Sequence, residues 1–111
     1  MLTTLTTNEV FAELGQRLAQ KPATALSSAQ GIYQFSLTGD DAAEYNIAVT
    51  SEGATVHQGK ADNAGVTISM TADNFKELAA GRLNPMSAFM GGKLTVTGDM
   101  SMALKLQTLI S

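Results

Sequence analysis

GIYQFSLTGDDAAEYNIAVT, residues 31–50, changes character at every second position. Tyr33, Phe35 and Leu37 fall on one side of an extended chain and Gln34, Ser36 and Thr38 on the other, because successive strand side chains point to opposite faces. Tyr45, Ile47 and Val49 repeat the pattern against Asn46, Ala48 and Thr50, and Gly39-Asp40-Asp41 supplies the turn between the two strands. Ser51-Glu52-Gly53 makes the next turn before a third strand, Ala54 to Gly59, so the three form an antiparallel meander. Beyond Asn63-Ala64-Gly65 a fourth strand alternates Val66, Ile68 and Met70 with Thr67, Ser69 and Thr71. One apolar and one polar face mark a sheet covered on one side only, so all helices are expected on the apolar face. A doubly wound sheet, whose central strands are apolar on both faces, is excluded.

Around this centre the period changes to that of a helix. Thr6 and Glu9 are spaced as a capping box, and Val10, Phe11, Leu14 and Leu18 recur behind them, which predicts a helix over 7–20. Pro22 suits the first turn of a short second helix reaching Ala29. Thr71 or Asp73 caps a helix carrying Phe75, Leu78 and Ala79, which Gly81 ends. Asn84-Pro85 opens another, with Met86, Phe89 and Met90, that stops at Gly91-Gly92. Lys93 to Thr97 is a fifth strand with Leu94 and Val96 inward, and Asp99 caps a last helix running to the C-terminus. One domain over 1–111 follows, since 111 residues suit one core and no linker or repeat interrupts them.

Composition removes most functional classes. The chain is 44% hydrophobic and 15% charged, too apolar for a disordered chain. Its net charge of −3 gives no general attraction for nucleic acid or anionic headgroups, and the seven basic residues are scattered as solvated surface positions without an aromatic platform. Without cysteine there are no disulfides or thiolate nucleophiles. His57, the only histidine, has neither a second histidine for a metal nor a nucleophile to activate, so it reads as a surface or packing residue. Asp40, Asp41 and Glu44 lie at a hairpin turn and read as solvated turn chemistry rather than a calcium or acid–base site. Gly91-Gly92-Lys93 lacks the spacing of a phosphate loop and precedes a strand. No enzyme activity, cofactor or metal is expected. Met1 to Thr7 has no basic or long apolar run, and no stretch approaches the ~20 apolar residues of a membrane span, so a cytoplasmic location and no integral membrane segment are expected.

What remains is apolar surface. Five of the six methionines lie between Met70 and Met102, and methionine adapts to irregular apolar partners, although it also fills ordinary cores. In the last helix Met102, Leu106 and Leu109 form one stripe, and Met100, Ala103, Leu104 and Ile110 widen the arc beyond half the circumference. The excess must meet another helix, another subunit or a ligand.

Asn74-Phe75, Leu78, Gly81, Asn84-Pro85, Ala88-Phe89, Gly91 to Leu94, Val96, Gly98-Asp99 and Ala103-Leu104-Lys105-Leu106 together closely resemble the sterol carrier protein 2 family. Element order agrees over nearly the whole chain. The resemblance implies an α/β fold of the α+β type: a five-stranded, mostly antiparallel sheet with helices on one face and a hydrophobic tunnel between them. It implies non-catalytic binding and transfer of a long-chain lipid, whether fatty acid, acyl-coenzyme A or a sterol- or isoprenoid-like molecule. Phe75, Leu78, Met86, Phe89, Met90, Met102 and Leu106 are the positions that would line the tunnel. The alternative is an accessory domain that presents a lipid-like substrate to partner enzymes, as in quinone biosynthesis, with the last helix docking an enzyme or forming a weak homodimer. The chain ends Leu109-Ile110-Ser111, which departs from the Ser-Lys-Leu-like address of peroxisomal family members.

Overall fold

The computed structural model describes residues 6–105 and Leu109, with Ala23, Ala25 and Ser28 described in their backbone alone. The predicted start of the chain's first helix is borne out atom for atom. Thr6 Oγ1 accepts from the Glu9 amide at 3.2 Å, and Glu9 Oε1 accepts from the Thr6 amide at 2.8 Å. Helix α1 (Thr7–Gln20) ends at Lys21, which turns extended ahead of Pro22 as a residue before proline prefers. The 22–29 segment forms one turn of helix, α2 (Ala23–Leu26), and then a 3₁₀ turn, Ser27–Ala29, rather than one helix.

Five strands follow the alternation: β1 (Gly31–Thr38), β2 (Ala43–Thr50), β3 (Gly53–Gln58), β4 (Val66–Thr71) and β5 (Leu94–Gly98). The third and fifth therefore sit one residue from the predicted bounds. Their order is β3-β2-β1-β4-β5, antiparallel except for the central β1–β4 pair, which is parallel. Register carries rows of apolar side chains across the sheet: Val56, Ile47, Tyr33 and Val66 form one, and Tyr45, Phe35, Ile68 and Val96 the next. Helices α1, α3 (Ala72–Ala79), α4 (Pro85–Met90) and α5 (Met100–Leu104) pack along that face.

The core is centred on aromatic rings. Phe11 stacks between Tyr45 and Phe75 with centroids 3.9 and 4.6 Å away, and Phe35 meets Phe11 and Phe75 edge-on at 5.8 and 5.5 Å. Such pairs add about 0.5–1.5 kcal/mol each beyond the area they bury. Tyr33 is fully buried and donates its hydroxyl hydrogen to Ala29 O at 2.8 Å. Burial first, and the Asp99 carboxylate second, push its pKa up to about 12.

Three sequence expectations are corrected. The polar face is not left open: the 59–65 connection from β3 to β4 crosses it, because those strands lie on opposite sides of the β1–β2 hairpin. Gln34 Oε1 accepts from the Ala61 amide at 2.7 Å, while the Gln34 and Asn46 amides both donate to Gly59 O at 3.3 Å. This pairing satisfies two polar side chains that burial would otherwise penalise. Asp41 is more than a solvated turn residue. Its carboxylate accepts from the Thr7 amide at 2.5 Å and lies 3.2 Å from Lys76 Nζ, tying the β1–β2 turn to α1 and α3. The basic residues are not all solvated either: the Lys76 side chain is only 14% exposed, and an Arg17 guanidinium N–H donates to Ala79 O at 3.0 Å.

Candidate functional site

The apolar surplus expected near the C-terminal end has a definite place. Asn84 Oδ1 accepts from the Met86 and Ser87 amides at 2.9 and 3.2 Å, and Pro85 occupies the first turn, so α4 starts as its sequence requires. It stops where Gly92 adopts φ +75°, a conformation costly for other residues. Only Ala88 of its six residues is buried. Asp99 caps α5 by accepting from the Ser101 amide at 2.9 Å and the Ser101 hydroxyl at 2.6 Å, and these bonds hold its pKa below the ordinary value. No residue of α5 is buried.

Edge strand β5 runs beneath both helices. Leu94 and Val96 form the floor of a groove, Pro85, Met86 and Phe89 of α4 form one wall, and Met100, Ala103 and Leu104 of α5 form the other. The groove encloses about 110 Å³ and is lined by no titratable side chain. All the large apolar side chains exposed among the described residues belong to these two helices: Met86, Phe89, Met90, Met100 and Leu104. A wider hollow of about 580 Å³ separates α1 from β3, but Asn8, Thr55 and Gln58 share its lining and it opens broadly to solvent. A chain lying there would keep one side in water, whereas the smaller groove has apolar walls on three sides.

Of the positions singled out in the sequence, Met86 and Phe89 line this groove. Phe75 and Leu78 are buried in the core, Phe75 within the aromatic cluster. Met90 is 79% exposed and outside the walls. Met102 turns the other way and presses its thioether against the backbone of Gly31 and Gly65, where a Cβ would come within 2.4 and 2.5 Å of it. Leu106 lies outside the described residues. Sequence reasoning did not assign Pro85, Leu94, Val96, Met100, Ala103 or Leu104 to the site. The signal lay in the broad apolar arc of the last helix, one side of which, Met100, Ala103 and Leu104, meets the groove while Met102 meets the sheet.

Outside the groove, chemistry is sparse. His57 is exposed on β3 and its Nε2 lies 3.0 Å from Thr55 Oγ1, with no carboxylate bonded to the ring. Among the described residues no group of three or more His, Cys, Asp or Glu side chains could hold a metal ion. No described helix is long and apolar enough to cross a membrane.

A model of the SCP-2 sterol transfer family matches residues 11–111. Hydroxysteroid dehydrogenase-like protein 2 of Homo sapiens is 39% identical over 87 residues, covering 78% of this chain but 21% of that protein. The chain thus spans about a fifth of the length of such relatives. Among solved structures, palmitated SCP2L2 from Aedes aegypti superposes with a TM-score of 0.80 at 17% identity, over 96% of this chain and 95% of that one. UbiJ-SCP2, a ubiquinone synthesis protein, does so with a TM-score of 0.71 at 21% identity, over 94% and 91%. At those identities the two structures show a shared fold.

Proposed function

The chain belongs to the SCP-2 sterol transfer family, and from that premise we propose that it binds and carries a long-chain lipid without covalent chemistry. The apolar tail enters the groove between α4, β5 and α5, and the observation that carries this reading is the concentration of exposed methionine, phenylalanine and leucine around that groove. The palmitated relative supports an acyl chain as ligand class.

At about 110 Å³ the groove seats only the end of such a chain, since a cavity of ~150 Å³ holds no more than a benzene-sized guest. Longer tails require α4 and α5 to part. Both helices are short and together bury a single residue, Ala88, so parting costs little core. A fully sheltered tail of ~15 methylenes would contribute roughly 12 kcal/mol gross. Association removes at least ~4 kcal/mol, and opening the groove removes more, which leaves binding near the micromolar range.

Titration with a fluorescent long-chain fatty acid tests the reading. Saturable binding at one site per chain, reversed by unlabelled fatty acid, is expected, and no saturation at tens of micromolar would overturn it. A second reading is favoured by the dehydrogenase-like relatives, in which the matching segment is a minor part of a longer protein. In that reading the domain presents its lipid to an enzyme, and the same titration succeeds but release speeds up on adding the enzyme.

A further inference from the structure

Helix α5 bears one wall of the groove yet buries none of its own residues. Of its side chains, Met102 and Ala103 alone pack partly against the core. Met102 reaches the sheet through a notch that two glycines leave open: a Cβ at Gly65 would lie 2.5 Å from its sulfur, and one at Gly31 closer still to its methyl. Both ends of the helix are tied separately. The Asp99 amide donates to Gly65 O at 2.9 Å, and Leu109, beyond the helix, is buried in the core. The thioether therefore fastens the middle of α5, and it suits a packed notch because it is apolar and asks for no hydrogen-bond partner.

We propose that Met102 is a site of oxidative modification, at which hydrogen peroxide unfastens α5 and opens the groove. The sulfur lone pair attacks one peroxide oxygen, an S–O bond forms as the O–O bond breaks, and the second oxygen leaves as water; the sulfur gives up two electrons and the peroxide takes them. The product is a sulfoxide, whose oxygen needs a hydrogen-bond donor. At Gly65 none is free, since the amide already donates to Ile32 O at 3.0 Å and the carbonyl accepts from Asp99. An unpaired polar group in a packed notch is costly, so the side chain moves to water and α5 lifts between its two tethers. Met86, Met90 and Met100 are more exposed and react sooner, but they stand at the rim of the groove or outside it, where a sulfoxide is solvated in place. Unfastening is a property of α5 alone, whereas its control of lipid release rests on the carriage reading above.

Amide exchange followed by NMR on the intact, delipidated chain tests the proposal, read at Ala103 and Lys105, whose amides donate to Asp99 O and Met102 O at 3.2 and 2.9 Å. Once mass spectrometry shows Met102 carrying an added oxygen, exchange at both should be roughly tenfold faster or more. Methionine sulfoxide reductase should restore the slow rate. Met102→Leu keeps an apolar side chain of similar volume, so its α5 should stay protected in the same peroxide. Met102→Gln puts a polar side chain of similar length in the notch and should exchange fast without peroxide. Equal acceleration in Met102→Leu, or an oxidised Met102 with slow exchange in α5, overturns the proposal. So does a Met102 that stays a thioether while Met90 is fully oxidised. The bound fluorescent fatty acid should leave the oxidised parent roughly tenfold faster than oxidised Met102→Leu, which carries the same rim sulfoxides. Equal release from the two sinks the control of lipid release, and a parent that never binds the probe sinks carriage while the exchange rates still decide the fastening.

Discussion

Ala103→Phe places a ring in the groove from the α5 wall, at a position that is only half-buried. An unfilled apolar void costs ~24 cal/mol per Å³, so filling about 110 Å³ is worth at most roughly 2–3 kcal/mol. The groove is open on one side, where the new ring stays in contact with water, and about 1 kcal/mol is the expected gain. In a domain of this size that raises the melting temperature by about 4 °C. The same ring occupies the space proposed for the acyl tail, so binding of the fluorescent fatty acid should weaken at least tenfold. Thermal unfolding of the delipidated protein and the titration read the two effects separately. Were the α5 wall part of a close-packed interior, the ring would have to displace its neighbours at a cost of ~1–3 kcal/mol. A variant that melts several degrees earlier yet binds the probe undiminished would refute the assignment of this groove.

Phe75→Ala removes the ring stacked on Phe11 and should cost ~3–5 kcal/mol, measured by urea unfolding, because its site is core rather than groove. Asp41 has its pKa lowered, first by the Thr7 amide and then by Lys76. The stability this contributes is therefore complete above the ordinary value of about 3.9 and is lost as pH falls through the lower folded value. Melting curves of Asp41→Asn should accordingly lie below those of the parent at neutral pH and converge with them in acid; a constant gap would contradict the sign. His57→Ala should leave fatty-acid affinity unchanged and stability within roughly 0.5 kcal/mol, as its exposed ring is hydrogen-bonded to an exposed threonine hydroxyl, and a selective loss of binding would return the histidine to the site.

Local signals were legible where the chain itself supplies the partner. The Thr6–Glu9 box, the Asn84-Pro85 start and the alternation of β1, β2 and β4 all depend on neighbours a few residues away, and the structure reproduces them. Alternation is blind to which strand lies alongside, so the parallel β1–β4 pair and the connection crossing behind it left no such mark. The same blindness affected the site. Helical periodicity identified too much apolar surface on α5 but could not divide it between the glycine-backed notch that receives Met102 and the groove beside Leu104. Phe75 belongs with Phe11 only because β1 and β2 bring α1 and α3 together. Asp41 acquired its role from Thr7, far away in sequence, and nothing in a hairpin turn announces that.

The parallel pairing also orders assembly. Tyr33 can meet Val66 only after β2, β3 and the 59–65 connection have been laid down between them, and closing so long a loop is entropically slower than forming the adjacent hairpin. Every element that shapes the groove comes after β4 in the chain: α4, β5 and α5 have no scaffold until β4 is seated. In the native state the same dependence runs backwards. The groove-bearing end can detach from β4 while the three-stranded meander and α1 stay joined, so amide exchange with deuterium should be fastest in α4, β5 and α5 and slowest in β1 and β2. The cargo would then be held by the part of the molecule that opens at least cost to the rest.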